Sequence, residues 1–170
     1  MNEVEIFYDK IKNVKYGWHD KDNILHTRLV IDKFRKDYKM QKTDDILKSG
    51  YAICWEMCEL QRDFMEKEDI EYKTIFVYLN NSNNECHTFT AFKLDNDWYW
   101  FEASWKRKKG IHKFSSLEDI LEFYRNNFGD FAKKGYDKNN ILFYEYDRIS
   151  DGCSCEEFYE HCLSGKLIKL

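Results

Sequence analysis

The sequence predicts an α+β domain: helices first, then a mostly antiparallel sheet, then helices again. Three observations carry that prediction. Apolar residues recur at helical spacing early in the chain, with Val4, Phe7 and Ile11 on one face and Cys54, Met57, Cys58, Leu60, Phe64 and Met65 on another. Between 72 and 103 the pattern changes to runs dense in aromatic and β-branched residues, parted by turn residues. Helical spacing then returns near 117 and again at 155.

Taken in order, residues 3–13 read as a helix, 25–38 as a mixed and partly helical stretch, and 51–65 as a better helix with a broad apolar face. Strands are expected at 72–79, 86–94 and 98–103, the first two joined by a loop over Asn80-Asn81-Ser82-Asn83-Asn84. A helix follows at about 117–128, where Ser115 and Glu118 stand at capping-box spacing. Residues 141–147 read as a strand, and Ser154 with Glu157 opens a last helix over 155–163. No repeat, low-complexity tract or linker interrupts the chain, so 1–170 is expected to form a single domain. Aromatic residues at 18% supply a large core and argue against disorder.

Charge narrows the partners. With 27 basic and 31 acidic residues the formal net charge is −4, which offers no electrostatic reason to expect a nucleic-acid or membrane partner. The segment Met1-Asn2-Glu3-Val4-Glu5 is acidic and lacks an apolar signal region, and no run is long enough to span a bilayer. A cytosolic location is expected, where the six cysteines stay free thiols.

Three residues have the parts of one reaction. Cys54 lies where the glycine-containing segment Ser49-Gly50-Tyr51-Ala52-Ile53 gives way to a helix, His87 opens a strand, and Glu102 closes the next one. A thiol, an imidazole and a carboxylate make a nucleophile, its base and the group that orients the base. A helix start suits the thiol, because unpaired N–H groups and partial positive charge there favour a thiolate and can receive an oxyanion. Cys58, one turn inside the helix, is less well placed. The strand residues converge under one condition. If Asp95-Asn96 or Asn96-Asp97 forms a two-residue turn, His87 and Glu102 share a face of the hairpin; a loop one residue longer or shorter puts them on opposite faces. With Asp95-Asn96 in the turn, Glu102 lies opposite Phe89 and diagonal to His87, a separation of roughly 7–8 Å that the two side chains can bridge.

These segments resemble a known family. Gly50-Tyr51-Ala52-Ile53-Cys54-Trp55-Glu56, His87-Thr88-Phe89 and Trp100-Phe101-Glu102-Ala103-Ser104-Trp105 resemble the core of the transglutaminase-like superfamily, relatives of the papain-like cysteine peptidases. Tyr16-Gly17-Trp18 and the run from Cys155 to Cys162 resemble a narrower branch of small bacterial proteins. The chain departs from the common pattern in having glutamate for the usual aspartate and in placing Gly50 four residues before the cysteine. The resemblance implies a papain-like core, with the nucleophile's central helix packed on the sheet between flanking helices. It implies acyl transfer: Cys54 attacks an amide carbonyl, His87 protonates the leaving amine, and a thioester forms. The expected substrate is a peptide or protein with an amide or glutamine-like group. Hydrolysis or deamidation is favoured over crosslinking, because the chain has no room for extra β domains. The alternative is an inactive transglutaminase-like domain that binds a peptide or protein.

Other residues have weaker claims. Trp18 and Gln41 are candidates for an oxyanion donor, and Trp55 and Trp105 for walls of a substrate cleft. Lys106-Arg107-Lys108-Lys109 is either a solvated loop or a means of capturing an acidic substrate group. Cys153, Cys155, His161 and Cys162 carry zinc-ligand atoms at poor spacing, and there is no acidic calcium loop, so no metal and no other cofactor is expected.

Overall fold

A computed structural model describes residues 1–80, 85–130 and 136–170. Helix α1 (Asn2–Ile11) carries Glu3 and Glu5 in its first turn and Lys10 in its last, matching the helix dipole, and buries Val4 and Ile11. Strand β1 (Lys15–Tyr16) follows, then a small antiparallel ribbon of β2 (Trp18–His19) and β3 (Leu25–His26). The mixed stretch at 25–38 thus divides into β3 and helix α2 (Ile31–Asp37).

Helix α3 (Thr43–Ser49) is absent from the periodicity reading, and it explains Gly50. That residue caps α3 at φ 69°, in left-handed backbone that glycine adopts without strain, and its N–H bonds the Ile46 carbonyl at 2.9 Å. A side chain there would meet nothing within 4 Å, so the requirement is one of backbone conformation alone. Strand β4 (Tyr51–Ala52) then pairs in parallel with β1, placing Tyr16 beside Ala52. Helix α4 (Cys54–Lys67) therefore starts at Cys54, three residues later than the apolar pattern suggests.

The sheet comprises β5 (Tyr72–Leu79), β6 (Cys86–Leu94), β7 (Asp97–Glu102), β8 (Gly110–Phe114), β9 (Ile141–Glu145) and β10 (Lys166–Ile168). Its spatial order is β10-β9-β5-β6-β7-β8, and every neighbouring pair is antiparallel. The chain is thus a mixed helix and strand structure around a six-stranded antiparallel sheet. Of the loop expected over Asn80–Asn84, residues 81–84 lie outside the described residues. The edge strands β8 and β10 are short and only partly buried, so neither carries the dense apolar run that marks β5 to β7.

Helix α5 (Leu117–Asn127) begins one residue later than the Ser115–Glu118 box predicts. Ser116 holds the extended cap conformation, and its Oγ accepts the Asp119 N–H at 3.1 Å. Helix α6 (Cys155–Leu163) opens on the predicted reciprocal pair of Ser154 and Glu157.

Alternation along β6 and β7 sends residues to two layers. Phe89, Ala91 and Trp100 share a core with Ile120, Leu121 and Tyr124 of α5. Phe92 and Phe101 share another with Met57, Leu60 and Met65 of α4 and with Val4 and Ile11 of α1. A third cluster joins Trp18, Phe34, Tyr38, Trp55 and Phe158, where the N-terminal loops meet α6; Trp55 and Phe158 stack at 3.9 Å. No helix among the described residues is long and apolar enough to cross a membrane.

Candidate active site

The hairpin between β6 and β7 decides whether the site can exist. Leu94 pairs with Asp97, so Asp95-Asn96 forms the turn, with Asp95 in left-handed backbone at φ 57°. The register runs through Lys93–Trp98 and Ala91–Trp100 to Thr90–Phe101. One step further puts Glu102 opposite Phe89 and diagonal to His87. The two side chains meet across that diagonal, His87 Nε2 lying 2.9 Å from Glu102 Oε2, with both residues 1% exposed.

Every acceptor position of the Glu102 carboxylate is directed. Oε2 also receives the Tyr124 hydroxyl at 3.0 Å, while Oε1 turns back along the chain to accept the Ser104 and Trp105 N–H groups at 2.7 Å each. Burial pushes this carboxyl up, but His87 and the two backbone donors outweigh it and hold the group below its ordinary value. The longer reach of glutamate suits both roles, since one oxygen bridges the diagonal and the other closes the post-strand turn.

Because the other partners of Glu102 are all donors, the His87 contact is an N–H donated from Nε2. Nδ1 is left for Cys54, whose side chain is hydrogen-bonded to the imidazole. Burial works against charge on His87, yet Glu102 and Cys54 prevail and raise it to about 10. Two rings frame it, Tyr124 stacked at 6.2 Å and Trp105 edge-on at 6.3 Å.

Cys54 is the first helical residue of α4, after Ile53 in extended backbone. Its N–H has no intrahelical acceptor and lies beside its own sulfur. Cys54 is half-buried, whereas Cys58 is fully buried and its thiol is pushed up to about 12 by burial. Sequence reasoning missed the residue that secures this helix start. Glu56 is buried and accepts four donors: the Tyr38 hydroxyl at 3.2 Å, the Gln41 N–H at 3.0 Å, the Gln41 side-chain amide at 3.2 Å and the Ile53 N–H at 3.1 Å. Its carboxyl is raised to about 7 by burial, against the pull of those donors.

The remaining candidates fall out differently. Gln41 is no oxyanion donor, since its amide protons go to Glu56 and to the Tyr51 carbonyl at 3.0 Å. Trp18 is fully buried with its indole N–H on the Arg28 carbonyl at 3.1 Å, so it is likewise committed. Trp105 belongs to the α5 core, where its ring packs edge-on to His87 and its backbone N–H is given to Glu102. Trp55 does wall a cleft, of about 220 Å³, into which Cys54 opens beside Tyr16, Phe34, Cys86 and Tyr159. The tail cysteines are dispersed: Cys155 faces that cleft, Cys153 contacts the Met40 sulfur, and Cys162 is buried. No cluster among the described residues could hold a metal ion.

Both terminal motifs contribute to this cleft. Gly17 lets the Tyr51 ring approach to where a β-carbon would stand 2.8 Å away, which brings Tyr16 alongside the loop before Cys54. From α6, Phe158 stacks on Trp55 and Tyr159 donates its hydroxyl to the Cys86 sulfur at 2.8 Å. Tyr124 had no signal in the sequence, because an i,i+4 helix position says nothing of a partner on another strand.

Comparison with protein-family models gives no match, and the search of curated proteins gives none either.

Proposed function

We propose that the chain is a cysteine-dependent amide hydrolase or acyl transferase of the transglutaminase-like type, acting in the cytosol on a peptide or protein. One observation carries the reading: a thiol at a helix start is hydrogen-bonded to an imidazole whose other nitrogen is locked to a buried, fully bonded carboxylate. The imidazolium and the helix N-terminus both attract negative charge to the sulfur. The Cys54 thiolate attacks the carbonyl carbon, and the S–C bond forms as the oxygen takes negative charge beside the Cys54 N–H. The C–N bond then breaks, and the amine leaves with a proton from His87. Water attacks the thioester, giving its proton to His87; the carboxylic acid departs and the thiolate returns. Glu102 stays ionised throughout and holds the ring in place. A helix bearing the nucleophile against an antiparallel sheet, with base and acid on adjacent strands, also supports the superfamily resemblance.

The test is competitive alkylation with iodoacetamide, read cysteine by cysteine by mass spectrometry. Cys54 is expected to react at least about tenfold faster than the five other thiols, and His87→Ala should remove that advantage. A screen of fluorogenic peptidyl amides should then show turnover that Cys54→Ala abolishes. Uniformly slow labelling of all six thiols would instead mark a domain that binds peptides without turning them over.

A further inference from the structure

A second cleft, of about 490 Å³, adjoins the first, and Tyr16 is the wall they share. The two differ in chemistry. Apart from Arg35 and Glu85, the Cys54 cleft is lined by apolar, aromatic and thiol side chains: Leu29, Ile31, Phe34, Ile53, Trp55 and others. The second is lined by Lys12, Lys15, Lys106 and Lys109, together with Ala52 and Ser104, and by no carboxylate among its described residues. Lys12 is paired with Asp9 at 2.7 Å. Lys109 is anchored by the Lys12 and Val14 carbonyls at 3.3 and 3.2 Å, and Lys15 lies 6.0 Å over the Tyr51 ring. So Lys15 is held by a neutral ring, while Lys109, anchored by carbonyls, also feels the charge of the buried Glu102 carboxylate.

We infer that the substrate is two-sided: a bulky apolar acyl group seats in the Cys54 cleft, and the leaving amine carries an anionic group that faces the lysines. This rests on the acyl-transfer reading above and names its substrate class. The assignment of sides follows from Cys54, which lines the apolar cleft and not the basic one. An acyl group bonded to the sulfur must extend into the apolar cleft, while the departing amine is left toward Tyr16 and the lysines. Charge complementarity selects a carboxylate there, since each uncompensated ammonium raises the local concentration of an anion.

Four aryl esters test the idea without depending on amide turnover. The acyl group is acetyl or hexanoyl, and the phenol leaving group bears a para carboxylate or a para carboxamide. The single-turnover rate of phenol release is read with the mass of acylated Cys54. Four further methylenes reaching the apolar cleft should give hexanoyl an advantage on the order of a hundredfold. The carboxylate should exceed the carboxamide by about tenfold at low salt and lose that lead as salt rises. Lys15→Glu with Lys106→Glu, both on the surface, should abolish the carboxylate preference, the carboxylate rates falling by about tenfold more than the carboxamide rates. Acylation of Cys54 at rates indifferent to both groups would overturn this inference and leave the acyl-transfer reading intact. Acylation no greater than in Cys54→Ala, for all four esters, would overturn both.

Discussion

At the scale of single residues, Glu102 has the sharpest role, because its four hydrogen bonds leave no freedom about which atom faces what. Glu102→Gln would keep the shape and change the protons. The amide NH2 cannot take the Oε1 place, where the Ser104 and Trp105 N–H groups already point. It must replace Oε2, so it donates to His87, and the imidazole then carries its proton on Nδ1. With Nε2 now accepting, the ring is neutral, and Cys54 loses the imidazolium that favours its thiolate. The expected outcome is a loss of kcat by about 10³ to 10⁴ with KM nearly unchanged, measured on any amide or ester the wild type cleaves. A fall of less than about tenfold would mean that Glu102 only supports the fold. Tyr124→Phe tests the same carboxylate more gently: with one donor of four removed, the cost in activity should be within about tenfold.

At the scale of elements, the start of α4 depends on Glu56 more than on its own cap, since Ile53 offers no side-chain acceptor. The Glu56 carboxylate ties Tyr38, Gln41 and Ile53 to the first turn. Glu56→Ala would strand buried donors, each costing about 1–3 kcal/mol. Urea unfolding at pH 7 is therefore expected to show a loss of at least about 3 kcal/mol, with Cys54 alkylation slowed as the turn loosens. A loss under about 1 kcal/mol would refute the anchoring role. Much of this arrangement was legible beforehand and some was not. The parity of the hairpin follows from Asp95-Asn96 alone, so the meeting of His87 and Glu102 could be reasoned out from spacing. The cap of α6 was equally local. Helix α3 escaped notice because seven residues with a single buried side chain, Ile46, carry no periodicity. Without α3, Gly50 looked like a displaced part of the cysteine turn when it is the stop of the preceding helix. The contacts of Glu56, Tyr124 and Tyr16 depend on which elements become neighbours, and that information lies in tertiary packing.

At the scale of the whole molecule, the site ties stability to pH. His87 binds its proton up to about pH 10 in the folded chain and up to about 6.5 when unfolded. Between those values the folded state holds the extra proton, so unfolding free energy falls as pH rises, by as much as about 1.4 kcal/mol per pH unit. Glu56 acts in the same direction lower down: its folded carboxyl stays protonated up to about 7 against 4.5 unfolded, so it too lowers stability as pH climbs through that interval. Glu102 has the opposite sign. Its folded value is depressed, and the stability it adds above 4.5 is lost as pH falls. These groups together place the stability maximum on the acid side of neutrality, near about pH 5, with a decline toward pH 10. Urea titrations at half-unit steps from pH 4 to 10 should trace that decline in the wild type. His87→Asn removes the upper proton and should flatten the limb between pH 7 and about 8.5, above which the buried thiols, raised by burial, keep a decline in both proteins; the limb from 4.5 to 7 persists through Glu56. Equal slopes between pH 7 and about 8.5 in the two proteins would show that His87 carries no charge in the folded state, and the imidazolium assumed at the site would have to be given up.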